Sequence, residues 1–318
     1  MAIMNKEAVR ALLPECEKKN FDDIVLQRVL GASKHINMIS QMLLSIASQQ
    51  ADGNEIAKRI LMVADYFKET RGKASQAVTN AIVMLTKGIR GNYSLSETEI
   101  RKIVIKNQEE YAKTSQINLS KIVEYGVKLA EPMETIMVFD YSSTIDTFLA
   151  NMKQGRNIYI PESRTIDGGH GFVTTCLKAG HQVKFFPDAA MLYWLKDCDG
   201  IFIGAETFYL DGTVFNTTGS DILAFLCKKY NIPYYVMTPM IKIDTRSRYG
   251  LYKETVMNDL SGMLAGGWSE KERESVDFIC PELLPISPEY ISAYVTEYGI
   301  TPTEAIFTLA DGYLLELE

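Results

Sequence analysis

Three observations predict an α/β protein with an all-helical front half. Apolar residues recur at helical spacing through residues 1–131, with no strand-like alternation between them. From Pro132 onward, short β-rich apolar runs alternate with helical segments, the pattern of a parallel, doubly wound sheet. The 318 residues are enough for two ordinary domains, each with its own core. The expected organisation is a helical domain over 1–131 followed by a Rossmann-like α/β domain over 132–318.

Composition narrows the function classes. The chain is 47% apolar and 23% charged, an ordinary globular balance. A net charge of −7 argues against direct nucleic-acid binding, which needs a basic surface. The five cysteines are widely spaced and there are only three histidines, so no zinc site is expected, nor any other metal or cofactor. Reduced thiols, mostly in the core, fit a cytoplasmic protein. The start, MAIMNKEAVR, lacks the apolar stretch of a signal peptide, and no run is apolar enough to span a bilayer.

Helices are predicted over 5–19, 24–47, 55–67 and 74–89, with a long segment reaching 130. Gly91-Asn92 breaks the chain before that segment, and either Ser94 with Glu97 or Ser96 with Glu99 fits a capping box. Arg71-Gly72-Lys73 lies between two helices, with Ala74 opening the next. Cations beside a glycine at a helix start suit a phosphate, and a solvated turn is the plainer alternative. Strands are predicted over 135–139, 157–160, 182–186, 200–205, 233–237 and 276–279. Helices are predicted over 142–152, 171–179, 189–195 and 221–230.

Polar groups collect where these strands end, which is where an open parallel sheet binds ligands. Asp140-Tyr141-Ser142-Ser143 follows the first strand. Glu162-Ser163-Arg164 and then Asp167-Gly168-Gly169 follow the second, Asp188 the third and Glu206 the fourth. Asp188 alone reads as a helix cap. Gly168 and Gly169 either let backbone approach a ligand or form a plain turn. Residues 200–220 run from a strand through Glu206 and an Asp211-Gly212 turn to Thr217-Thr218-Gly219-Ser220, which opens a helix. That stretch reads as one wall of a site for a small phosphorylated molecule. His170 reads as a surface residue at a helix start. Tyr141, Phe208 and Tyr209 line the pocket or pack in the core. Asp244, Arg246 and Arg248 fall in a polar loop, solvated or closing over the site.

The motifs resemble those of the superfamily of translation initiation factor 2B regulatory subunits, methylthioribose-1-phosphate isomerases and ribose-1,5-bisphosphate isomerases. Glu162-Ser163-Arg164-Thr165 with Gly169 is similar to the family's Glu-Ser-Arg-Pro then Gly. Asp188-Ala189-Ala190 is similar to Asp-Ser-Ala. Gly204-Ala205-Glu206, Asp211-Gly212 and Asn216-Thr217-Thr218-Gly219-Ser220 follow Gly-Ala-Asp, Asn-Gly and Asn-Lys-Ile-Gly-Thr at the same spacing. Ile232-Pro233-Tyr234-Tyr235-Val236 and Thr296-Glu297-Tyr298-Gly299 match two further segments. The resemblance implies a ligand between the two domains and a homodimer or higher homo-oligomer formed through the second. It also implies a phosphate-binding turn at Arg71-Gly72 and a substrate-binding role for Asn216.

Departures from the family pattern fall at the chemistry. Where the isomerases carry a cysteine and an aspartate, this chain has Asp140 and Glu206, and the lysine after the matched asparagine is Thr217. Two carboxylates share acid and base work if their surroundings push their pKa values apart. The reading is a divergent sugar-phosphate isomerase, aldose 1-phosphate to ketose phosphate, with Asp140 and Glu206 catalytic. Its expected phosphate and substrate ligands are Arg71, Gly72, Lys73, Arg164, Gly168, Gly169, Asn216 and Thr217. The alternative is a non-catalytic protein that senses a sugar phosphate or nucleotide, related to the regulatory subunits.

Overall fold

The computed structural model describes residues 5–29, 31–92 and 94–317. It divides into two compact units, Met1–Ile117 with Ile241–Ile243 and Tyr313–Glu318, and Asn118–Met240 with Asp244–Gly312.

The first unit is helical. The helix expected over 5–19 is two, α1 (Lys6–Ala11) and α2 (Glu15–Val25), because Pro14 has no N–H with which to continue the first. The stretch expected as one helix over 24–47 turns at Gln27 (φ 54°) and Gly31 (φ 101°), and only α3 (Ala32–Ala47) remains of it. Next come α4 (Gly53–Glu69), the single turn α5 (Arg71–Ala74), α6 (Gln76–Leu85) and α7 (Glu97–Ala130). Phe21, Ile39, Ile60, Phe67 and Val78 are fully buried in its core, where Phe21 stacks on Tyr66 at 5.3 Å. Of the two capping boxes the sequence allows, Ser96 with Glu99 forms: Glu99 Oε2 accepts from the Ser96 N–H at 2.8 Å and Ser96 Oγ from the Glu99 N–H at 3.3 Å.

The second unit begins inside α7, not at the change of pattern near Pro132. Ile122, Val123 and Ala130 of α7 pack with the sheet core, whereas Ile100 and Val104 belong to the helical core. The sheet strands are β1 (Thr135–Phe139), β2 (Asn157–Pro161), β3 (Gln182–Phe186), β4 (Gly200–Ile203), β7 (Tyr234–Met237), β12 (Ala293–Thr296) and β13 (Gly299–Pro302), in the order β13-β12-β7-β4-β1-β2-β3. All pairs are parallel except β12 with β13. Every residue of β1 and β4 is buried, as central parallel strands covered on both faces require. Helices α8 (Ser143–Asn151), α9 (Val173–Lys178), α10 (Met191–Leu195) and α11 (Ser220–Tyr230) connect the strands. Phe148 and Tyr235 pack on Phe202 at 4.9 and 5.1 Å.

A second, smaller sheet forms from residues the sequence reading treated as loop and helix entry. β5 (Thr207–Tyr209) and β6 (Val214–Thr217) make a hairpin, with Asp211-Gly212 as its turn and Gly212 at φ 87°. β11 (Leu283–Ile286) pairs antiparallel with β6, and β8 (Ile243–Asp244) is the other edge. Thr217 therefore ends a strand, and the helix begins at Ser220 after Gly219 (φ 107°). The strand expected over 276–279 is displaced to β10 (Ile279–Pro281), which pairs only with β9 (Met257–Asp259). Between these two lie the short helices α12 (Ser261–Leu264) and α13 (Glu270–Glu274), completing an arm. The last helix, α14, is Ile306–Leu317. Among the described residues, no helix is long and apolar enough to cross a membrane.

Candidate functional site

The strand order reverses direction between β1 and β4, the two strands that start neighbouring connections to opposite sides. Loops at such a switch point splay apart and leave a crevice at the carboxyl ends of the strands. Asp140 follows β1 directly, and Glu206 follows β4 by three residues. The topology thus brings the two candidate carboxylates to one crevice.

Asp140 is buried, at 8% exposure. Its Oδ2 accepts a hydrogen bond from Thr217 Oγ1 at 2.7 Å and its Oδ1 one from Ser163 Oγ at 3.3 Å. Its backbone sits in the left-handed region at φ 58°, as do Ser163 (53°) and Asp167 (54°) in the facing loop. Left-handed residues other than glycine cost energy, and their clustering in two adjoining loops marks a site held under constraint. Burial pushes the Asp140 carboxyl above its ordinary range. The Thr217, Tyr141 and Ser163 hydrogen bonds pull it down, and the charge of Glu206 pushes it up. Glu206 is half-buried, and its backbone N–H donates to Phe215 O at 2.9 Å across the β5–β6 hairpin.

Asp188 works differently from the helix cap expected of it. Its carboxylate accepts the N–H groups of Ser163 at 2.9 Å and Arg164 at 2.8 Å, so it fastens the loop after β2. Gly168 is needed because a Cβ there would lie 2.0 Å from Asp140 Oδ1, and a Cβ on Gly169 would lie 2.1 Å from the Pro161 carbonyl oxygen. The close approach these glycines permit is to the protein itself. Asn216 donates to Gly204 O at 2.8 Å and is buried, which fixes the turn leading to Glu206. Arg164 points elsewhere: it is exposed, and its guanidinium donates to Met263 O of α12 at 2.9 Å. His170 is exposed, Tyr141 half-exposed, and Phe208 and Tyr209 are buried.

The turn Arg71-Gly72-Lys73 belongs to the helical unit and is itself a turn of helix, α5, where a connection between helices was expected. Arg71 Nε donates to His35 Nδ1 at 3.2 Å. That leaves the His35 proton on Nε2, which meets Val29 O at 2.7 Å. Gly72 is required by packing, since a Cβ would lie 2.2 Å from Thr79 Oγ1. Lys73 is exposed and pairs with Glu69 at 3.1 Å. At the start of α6, the Ser75 hydroxyl is buried with no hydrogen-bond partner.

Sequence reasoning missed Lys253. Its backbone N–H donates to Tyr209 Oη at 2.6 Å, and its ammonium lies in the field of Glu206. Nothing in the local sequence marks it, because it sits in an irregular stretch far from either carboxylate along the chain. Asp244, by contrast, is fully buried in a two-fold pairing with Arg246, at 2.9 and 2.7 Å. Cys176, Cys198 and Cys227 are buried, and burial pushes the first two up to about 12. Among the described residues, no group of three or more His, Cys, Asp and Glu side chains has the arrangement to hold a metal. The open groove of about 580 Å³ on the β9–β10 arm is lined by Asp259, Glu270, Glu274 and Asp277 against Arg273, a poor lodging for a phosphate.

The family model described as "Initiation factor 2 subunit family" matches residues 30–303. The chain belongs to that family. A ribose 1,5-bisphosphate isomerase from Thermococcus kodakarensis is 24% identical over 263 residues, covering 81% of each chain. Among solved structures, the translation initiation factor eIF-2B of Pyrococcus horikoshii OT3 superposes with a TM-score of 0.73 at 17% identity, over 91% of this chain and 98% of that one. The 5-methylthioribose 1-phosphate isomerase of the same organism gives 0.71 at 17% identity, over 97% and 92%. At these identities the superpositions show the shared fold: a helical region followed by a predominantly parallel sheet. The family holds both sugar-phosphate isomerases and initiation-factor subunits.

The raised pKa of Asp140 has a consequence for stability. The folded state holds this proton more tightly than the unfolded chain, whose ordinary value is 3.8. The contribution of Asp140 is therefore complete below that value and is lost as pH rises through the native one. Asp140→Asn, which keeps an acceptor for Thr217, is expected to gain thermal stability relative to the parent chain as pH rises from about 4 to 8. Melting curves across that range check it; a difference independent of pH would contradict the assignment.

Proposed function

We propose that this protein is a divergent sugar-phosphate isomerase that converts an aldose 1-phosphate to a ketose phosphate, with Asp140 and Glu206 as its acid and base. The observation that carries the reading is the pair itself: two carboxyl groups at the switch point, one desolvated and pushed above its ordinary range, the other half-solvated. Groups held apart in this way divide acid and base roles. Asp140 donates a proton to the ring oxygen, and the sugar opens. A hydrogen with its electron pair moves from C2 to C1, and Glu206 takes the proton from the C2 hydroxyl, leaving a ketone. One proton is given and one received, so no oxidant is required.

Thr217, Ser163, Gly168 and Asn216 serve as positioning residues in this scheme. Thr217 and Ser163 hold the Asp140 carboxyl, Gly168 makes room for it, and Asn216 fixes the turn before Glu206. Arg71 is proposed as a phosphate ligand, supported by the unpartnered Ser75 hydroxyl at the start of α6, where no side chain caps the helix. Leu192, Tyr193, Ile222 and Phe225 leave an apolar face on α10 and α11, which we assign to a homodimer. The unpaired cysteines fit a reducing, cytoplasmic setting.

A second reading is favoured by the same carboxylate. Both Asp140 oxygens are engaged by protein hydroxyls, which suits a structural post in a sugar-phosphate or nucleotide sensor as well as a catalytic one.

Phosphorus NMR with a panel of aldose 1-phosphates and ribose 1,5-bisphosphate separates the two. Replacement of an anomeric phosphate signal by a ketose phosphate signal is expected, with the rate falling about 10²–10⁴-fold in Asp140→Asn and in Glu206→Gln. Unchanged turnover in both variants would remove the proposed mechanism, and broadening without conversion would favour the sensor. Arg71→Ala is expected to weaken binding of the phosphorylated ligand by roughly 2 kcal/mol, read by calorimetry; equal affinity would take Arg71 out of the site. Sedimentation at micromolar concentration is expected to show a dimer or larger species, and a clean monomer would contradict the interface.

A further inference from the structure

Arg71 differs from the other arginines of the helical unit. Arg10 pairs with Asp22, Arg28 with Asp23, Arg59 with Glu55, Arg90 with Asp65 and Arg101 with Glu97. Arg71 is half-buried, yet among the described residues no carboxylate pairs with it. Its side chain makes one hydrogen bond among those residues, from Nε to His35 Nδ1 at 3.2 Å. Its backbone is held separately, by the Ser75 N–H, which donates to Arg71 O at 2.9 Å. The other cation of the turn, Lys73, pairs with Glu69.

His35 is fully buried, in the first turn of α3. Its Nε2 lies 2.7 Å from Val29 O. A carbonyl oxygen only accepts, so Nε2 carries the proton. The Arg71 N–H only donates, so Nδ1 carries none. Both contacts hold together in one neutral tautomer, and the Val29 carbonyl selects it. An imidazolium would set a second N–H against that of Arg71 and bury a second cation beside the guanidinium. A carboxylate in this place would orient the guanidinium and also cancel its charge. The neutral ring orients it and leaves the charge uncancelled. Arginine binds phosphate through a planar fork of N–H groups. With Nε tied to His35, the fork of Nη1 and Nη2 remains for a ligand.

We infer that His35 is a positioning residue for Arg71: a neutral imidazole that orients the guanidinium through Nε and leaves Nη1 and Nη2, with their charge uncancelled, to the phosphate group of the ligand. The inference rests on the role of Arg71 proposed above and deepens it. His35 is too deeply buried to meet the ligand itself and acts through Arg71.

The test uses the full-length protein and two readouts. In the ¹⁵N-labelled parent chain without ligand, the imidazole signals of His35, assigned by their loss in His35→Asn, are expected to show a neutral ring with its proton on Nε2 near neutral pH. A charged ring, or a proton on Nδ1, would overturn the inference before any ligand is added. The second readout is calorimetry with ribose 1,5-bisphosphate. His35→Gln, which keeps a donor for Val29 and loses the acceptor for Arg71, is expected to weaken binding about tenfold. His35→Asn, which keeps an acceptor in the place of Nδ1 and loses the donor, is expected to retain most of the affinity. In an Arg71→Ala background, His35→Gln is expected to have no further effect, because its action passes through that guanidinium. Equal affinity in His35→Gln and the parent, equal losses in the two His35 variants, or an undiminished effect of His35→Gln without Arg71 would overturn the positioning role. So would a parent chain that does not bind the compound. The expected pattern of binding with no turnover would uphold His35 while the isomerase reading falls, and turnover unaffected by His35→Gln would do the reverse.

Discussion

The hydrogen bond from Thr217 Oγ1 to Asp140 Oδ2 is the contact on which the site depends. It joins β6 of the small sheet to the end of β1 in the large one. A carboxyl group with so little exposure is stable only if its oxygens are satisfied, since an unpaired buried acceptor costs several times what a formed hydrogen bond returns. Three further features follow from seating Asp140 there. Ser163 must turn its hydroxyl inward at a left-handed backbone angle, Asp188 must hold that loop by its N–H groups, and residue 168 must lack a side chain.

The same burial sets the electrostatics. Desolvation raises Asp140, and the neighbouring Glu206 raises it further, so the crevice contains a carboxyl pushed above its ordinary range beside a more solvated one. The segment after Gly250 is pinned by Tyr209 and Glu282, through the Lys253 N–H and Val256 O. The result is a crevice with two carboxyl groups in unlike surroundings. Of the thiols of this chain, three are buried, Cys280 is half-buried and Cys16 is exposed.

Legibility in the sequence followed the range of the interactions involved. β1 and β3 were readable to the residue because short runs rich in β-branched and aromatic residues between turn residues have few alternatives. The break between α1 and α2 at Pro14 and the turn at Gly31 were passed over because hydrophobic periodicity continues across both. The β5–β6 hairpin was read as loop and helix entry: its strands are short, and they become strands by pairing with each other and with β11. At the site, Asp140 and Glu206 were visible as carboxylates at strand ends. The real tasks of Gly168, Asn216, Thr217 and Asp188 were not, because each serves a partner more than ten residues away.

By itself, the sequence determined the helical front half, the alternating α/β pattern, the position of both carboxylates at strand ends and the ordered motifs of the initiation factor 2 subunit family. These are local properties of periodicity, turn chemistry and spacing. Only the tertiary structure decided that β1 and β4 are neighbours at the switch point and that Thr217 and Ser163 hold Asp140. Strand order and side-chain burial are set by contacts between residues distant along the chain, and desolvation, which raises the pKa of Asp140, exists only once those contacts have closed.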